Sequence, residues 1–197
     1  MFRSFIRKKK TRNALIALAL SCLFAILILC DAFLPISNYM MDSLYQRGGK
    51  TSDIIIVGID DYSLEKLGKY DDWNRGYMAM AIHHLSEKNP AVIGLDILFT
   101  GQESPESDEL LVKACSEASC DVVTGANLIF KASFDPASTS VRTAVSQISY
   151  PYPALQECVK TGYVNALLDS SDGYARRVRP VMDCGETEMD SFAYAIY

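Results

Sequence analysis

Three kinds of hydrophobic pattern divide the chain. Residues 14–30 form one uncharged apolar run; with Asn13 before it and Ala32, Phe33 and Leu34 behind Asp31, it reaches the ~20 residues that a membrane-spanning helix needs. Further on, apolar positions recur every three or four residues, the helical period: Ile36, Tyr39, Met40 and Leu44 within 36–47, then Met78, Ala81, Ile82 and Leu85, then Leu110, Leu111, Ala114 and Ala118. Between these helices stand short runs rich in β-branched residues, 53–61, 91–100 and 121–128. The first two are dense enough in apolar side chains to predict strands buried on both faces, and the run 53–61 is expected to organise the sheet.

The punctuation agrees with this division. Gly48-Gly49 stops the first periodic segment, Asp61 or Ser63 is placed to cap a short helix that Gly68 ends, Pro90 follows the second periodic segment, and Ser104-Pro105-Glu106 opens the third. Strand, helix and strand in alternation predict βαβ units with parallel pairing and right-handed crossovers. From 131 to 149 the periodicity fades and Ser, Thr and Ala accumulate, which predicts a surface excursion. The strand-like runs 163–168 and 177–182 flank a turn composition at 169–173 and predict a hairpin, and Asp190 is placed to cap a final helix. The predicted fold class is therefore α/β: a mostly parallel sheet with helices on both faces, a C-terminal hairpin that makes the sheet mixed, and one N-terminal transmembrane helix.

Charge turns this pattern into a topology. Six of the 19 basic residues precede position 13 and all 24 acidic residues follow it, so the net charge of −5 splits into +6 and −11. Basic residues before the apolar run and none just after it predict a cytoplasmic N-terminus. The expected organisation is a basic cytoplasmic tail at 1–12, a transmembrane helix at 13–34 and an extracytoplasmic domain at 35–197 that stops before any return span. A cleaved signal peptide fits less well, because the run exceeds the ~7 to 15 residues of such a hydrophobic region and no Ala-x-Ala site follows it; Ser21-Cys22 makes only an imperfect lipoprotein site. The acidic body argues against nucleic acid as a partner and leaves room for a cationic ligand.

The candidate chemistry gathers where strands are expected to end. Ligands of open parallel sheets bind beyond the carboxyl ends of the strands, which singles out Asp60, Asp61 and Asp96. Together they could hold a divalent cation, with Asp60 and Asp96 as the metal candidates, or anchor a basic group. Asp96 is expected inside its strand, where a buried carboxylate needs a partner; the fork of Arg75 is the candidate, and a structural ion pair outranks a ligand site. Trp73 either lines a pocket or staples its loop to the sheet. No cofactor is implied beyond that cation.

Other residues carry weaker signals. His83 and His84 are adjacent on a helix, hence about 100° apart, and cannot clamp one ion. Ser63 has no nucleophile-elbow context. Cys22 and Cys30 read as small apolar residues of the span. Cys115, Cys120, Cys158 and Cys184 lie where disulfides form, and proximity in sequence favours Cys115 with Cys120 and Cys158 with Cys184 among three pairings. The stretch 169–173 departs from a calcium loop and reads as a turn. Arg176, Arg177 and Arg179 could receive an anion, but a solvated strand face is the preferred reading.

Taken in order, several of these pieces resemble the second class of CHASE-type sensors, extracellular input domains associated with cyclases and histidine kinases. The likeness is carried by residues 56–64 (Ile-Val-Gly-Ile-Asp-Asp-Tyr-Ser-Leu), by Trp73-Asn74-Arg75, where Asn replaces the proline of the family's loop, and by residues 92–99 with Asp108, Leu110 and Leu111 downstream. Gly162-Tyr163-Val164-Asn165, Asp172-Gly173 and Arg176-Arg177 complete it, while Met41-Asp42-Ser43-Leu44 resembles the segment after the membrane only loosely. The resemblance implies a non-catalytic sensor at 35–197, responsive to a small-molecule or ionic stimulus. It further implies a homodimer, and a cytoplasmic output such as a class III nucleotide cyclase or a kinase that this chain does not contain. A membrane-anchored metal-dependent hydrolase and an adhesive surface domain are the alternatives.

Overall fold

A computed structural model describes residues 2–44, 53–135, 140–168, 172–176, 178–185 and 187–197. The chain divides into two units, Met1–Gly58 and Ile59–Tyr197. In the first, helix α1 (Phe2–Leu29) contains the apolar run; its segment Arg12–Leu29 is long and apolar enough to cross a membrane, with a mean hydropathy of 2.2. The helix stops at Leu29, short of the expected position 34. The chain then turns through Asp31, whose φ of 50° is the left-handed geometry that Asp tolerates better than most residues. Helix α2 follows (Leu34–Leu44); the expected helix end at 45–47 lies outside the described residues.

The run 53–61 departs from expectation. Residues 54–59 form no strand among the described residues and are exposed, Ile56 at 88%. A β-branched apolar sequence supplies strand propensity but not the partner edge that hydrogen-bonds and covers it. Among the described residues the first strand of the sheet begins at Val92 instead.

In the second unit β1 (Val92–Leu95) connects through α5 (Pro105–Ser116) to β2 (Asp121–Asp135), its parallel neighbour, as the sequence predicts for this βαβ unit. On its other edge β2 pairs in parallel with β4 (Lys160–Tyr163). Its distal half pairs antiparallel with β3 (Ser140–Ser149), across a bulge between Ile129 and Phe130. Where a surface excursion is expected at 131–149, residues 131–135 and 140–149 thus form a two-stranded antiparallel ladder, which a search for apolar periodicity passes over. The expected hairpin is also displaced. Tyr163 belongs to the parallel strand β4, while the hairpin joins β5 (Val181–Asp183) to β6 (Glu188–Asp190) in a sheet of its own. The outcome is a mixed α/β fold.

Alternation along β1 allocates its two faces. Ile93 and Leu95 are buried with Ile82 of α4 (Gly76–Ser86), Leu111 and Cys115 of α5, and Leu155 of α6 (Pro153–Gln156). Gly94, between them, points the other way, and a Cβ there would meet Ile196 Cδ1 at 2.7 Å and Phe192 Cζ at 3.2 Å. Those residues belong to α7 (Phe192–Ile196). Gly162 on β4 permits the same approach, since its Cβ would stand 2.6 Å from the Phe192 Cα. A second cluster joins Ala126, Leu128 and Tyr163 to Met182 and Met189 of the hairpin.

The caps follow local chemistry, with shifts of one residue. Asp60, not Asp61 or Ser63, caps α3 (Asp61–Leu67), and Ser191, not Asp190, caps α7. Ser104 caps α5 with Pro105 at its first position, as expected.

Candidate functional site

Beyond the carboxyl ends of β1 and β4 lies a cavity of about 240 Å³, lined by Asp96, Tyr163, Asn165, Arg179 and Ser191 among others. This is where a parallel sheet leaves room for a ligand. Asp96 reaches it because β1 ends at Leu95; contrary to expectation the carboxylate lies outside the strand and exposed, and so does not depend on a buried partner. Asn165, just past β4, continues the pairing with its side chain. Its Oδ1 accepts from the Leu128 amide at 2.6 Å, and its Nδ2 donates to the Leu128 carbonyl at 3.0 Å and to Asn127 Oδ1 at 2.9 Å. The Tyr163 hydroxyl donates to the Arg179 carbonyl, which fixes the segment before β5 against β4. Burial pushes the Tyr163 phenol up, against the opposing pull of the Arg179 charge. The cavity thus presents a carboxylate and a guanidinium beside a rigid amide, a set suited to a small ligand bearing both charge signs.

Arg75 does not join Asp96 or Asp60. Its guanidinium pairs with Asp108, the two side chains being 11% and 8% exposed, and lies 3.7 Å from Glu103. It also donates to the Gly101 carbonyl at 2.6 Å and stands 4.3 Å from the centre of the Tyr152 ring. Asp108 accepts in addition from the Glu103 amide, at 3.2 and 3.3 Å. The Tyr152 hydroxyl donates to the Asp108 carbonyl at 3.0 Å. Burial pushes this phenol up to about 12, although the neighbouring Arg75 charge acts to lower it. The cluster ties the loop before α4 to the first turn of α5. Asp108 carries a legible signal: three and seven residues before Leu111 and Cys115, it falls on the buried stripe of α5, where an acid requires a cation.

The remaining sequence candidates are dispersed. Asp60 accepts from the Ser63 amide at 2.9 Å and hydroxyl at 2.8 Å, bonds that hold its carboxyl below the usual range. Asp61 is exposed in the first turn of α3. Trp73 staples its loop: the indole N–H donates to the Leu67 and Gly68 carbonyls, both at 3.1 Å, and the ring packs between Tyr70 and Tyr77. Among the described residues no group of three or more His, Cys, Asp or Glu side chains is placed to hold a metal ion. Asp60 and Asp96 are engaged or placed separately, Asp60 as a cap and Asp96 at the cavity.

Arg176 forms a two-pronged pair with Asp172, at 2.7 Å on each prong, which closes the turn around Gly173; Arg177 and residues 169–171 lie outside the described residues. A larger groove of about 580 Å³ runs between α4 and α5, with His83, His84, Met80 and Leu110 on its walls. The four outer cysteines are free thiols. Cys158 packs on the first core cluster and Cys184 on the second, so the structure does not bring those two together, whereas Cys115 and Cys120, the other pair favoured by sequence proximity, both belong to the first cluster.

These features define an α/β domain with a small cavity at its strand ends, in a chain whose N-terminal helix is apolar. The chain belongs to the CHASE2 domain family, whose model matches residues 16–197. CHASE2 is an extracellular sensory domain family. No curated protein and no solved structure matches the chain.

Proposed function

We propose that the chain is the extracytoplasmic input domain of a transmembrane receptor, anchored by the apolar segment of α1 with its basic tail in the cytoplasm, and that it controls a cytoplasmic output such as a class III nucleotide cyclase. The observation that carries this reading is the family match, which begins inside the apolar segment and runs to Tyr197. A stimulus acts only through its different affinity for two states of the domain. The cavity at Asp96 is where such a difference is best placed, because α7 packs on the same strands and adjoins its wall through Phe192. The domain itself is non-catalytic and works as a homodimer in this reading.

Two measurements test it. A periplasmic reporter enzyme fused after Tyr197 is active and a cytoplasm-only fluorescent reporter is dark; the opposite pattern overturns the topology. Zwitterionic small molecules screened by thermal shift raise the Tm of the wild type and not of Asp96→Asn or Arg179→Ala. Equal shifts in all three proteins remove the cavity from the sensing role.

A further inference from the structure

Three cysteines from separate parts of the chain meet at the opposite end of the sheet. Cys115 in the last turn of α5, Cys120 just before β2 and Cys158 just before β4 line one open cavity of about 490 Å³ at the amino ends of β2 and β4. Cys115 is buried in the first core cluster, and Cys120 and Cys158 are half-buried against it. The Cys158 thiol donates to the Leu155 carbonyl at 3.3 Å and reaches the Val112 carbonyl at 3.8 Å. Val112 stands three residues before Cys115, on the adjoining turn of α5, so Cys158 lies against the stretch of helix that carries Cys115. The two thiols are close enough that charge on Cys158 disfavours charge on Cys115. Cys184 lies in the other core cluster.

We infer that Cys115 and Cys158 form a disulfide by exchange with an external small-molecule disulfide. An extracellular domain lies where such oxidants persist. The Cys158 thiolate attacks one sulfur of the disulfide and makes a mixed disulfide, expelling a small thiolate that takes up the proton Cys158 gave up. Cys115 Sγ, as its own proton leaves, attacks Cys158 Sγ; the Cys115–Cys158 bond forms and the second small thiolate departs with that proton. Two protein thiols are oxidised and one external disulfide is reduced to two thiols. Burial pushes both protein thiols up, Cys115 to about 12. Thiolate is therefore scarce at neutral pH, and the exchange accelerates by roughly tenfold for each pH unit between 7 and 8.5. The link joins α5 to the chain entering β4 and closes a loop that contains all of β2 and β3.

The full chain in detergent, incubated with oxidised glutathione at pH 8, alkylated and mapped by mass spectrometry, tests this. Expected is a linked Cys115–Cys158 peptide that survives Cys120→Ser and is lost in Cys158→Ala, with a rise in Tm on the order of 10 °C on oxidation of the wild type. Alkylation of both Cys115 and Cys158 after oxidation overturns the inference, as does a link from Cys158 to Cys120 or Cys184. Should Cys158→Ala fail to fold, the wild-type peptide map decides alone.

Discussion

Two runs in this chain are close to twins. Residues 54–60 read Ile-Ile-Ile-Val-Gly-Ile-Asp and residues 92–96 read Val-Ile-Gly-Leu-Asp, each with β-branched residues, then a glycine, an apolar residue and a carboxylate. The second is β1, with Ile93 5% exposed beneath α4 and α5 and Gly94 under α7. The first forms no strand among the described residues, with Ile56 88% exposed. What separates them is a partner. β1 has β2 alongside, register-matched from Val92 opposite Asp121 to Leu95 opposite Thr124, and a helix connection short enough to bring the two strands together. Propensity is common to both runs, and pairing belongs to one.

Substitutions at matched positions can break this comparison. The largest effect is expected from Ile93→Asp, which puts an unpaired charge into the core and prevents folding of the domain; Ile56→Asp stays within about 0.5 kcal/mol, as exposed sites do. Chemical denaturation of both variants decides, and equal damage would show that the first run is also buried. Arg75→Ala, which strands the Asp108 carboxylate in the interior, costs about 3–5 kcal/mol, so the loop joining the two runs to α4 and α5 ranks between the extremes.

The twin glycines come next. Gly94→Ala forces Ile196 and Phe192 aside and costs about 1–3 kcal/mol, whereas Gly58→Ala meets nothing within 4 Å and is neutral or slightly stabilising, by up to about 1 kcal/mol. A loss of stability in Gly58→Ala would place packed atoms where the structure has none.

The twin carboxylates give the smallest effects. The Ser63 bonds depress the Asp60 carboxyl in the folded state, so its contribution is complete above the ordinary value of 3.8 and is lost as pH falls through the lowered one. Amide exchange at Ser63 and Leu64 should therefore quicken only in acid, and Asp60→Asn, which keeps a capping oxygen, should abolish that acid dependence while leaving α3 formed. Asp96→Asn should leave exchange in α3 unchanged at every pH. At the alkaline end Tyr152 works in the opposite sense: its phenol is raised from 10 to about 12, so its contribution is complete below pH 10 and disappears as pH climbs towards 12. A Tyr152→Phe variant would lose that alkaline dependence.

Much of this molecule was legible before its fold was known. The apolar length of α1, the three- and four-residue spacing of α4 and α5, the Ser104-Pro105 start and the parallel neighbours β1 and β2 all follow from chemistry that acts within a few residues, and the ordered motifs pointed to the CHASE2 family. The ladder of β2 with β3, the place of Tyr163 in a parallel strand and the position of the C-terminal hairpin did not, because a polar strand looks like a loop until a neighbour accepts its hydrogen bonds. The site followed the same division. Asp96 is legible as a candidate but not its place just past the strand, and the partner of Arg75 is a different acid from the expected one, since choosing among Asp60, Asp96 and Asp108 requires knowing which helix lies against which loop. By itself the sequence determined propensity, periodicity, charge placement and family, all local or additive properties; the tertiary structure alone decided which of two similar runs became a strand, which acid met Arg75 and which cysteines share a cavity, because each of those depends on two distant segments being held together.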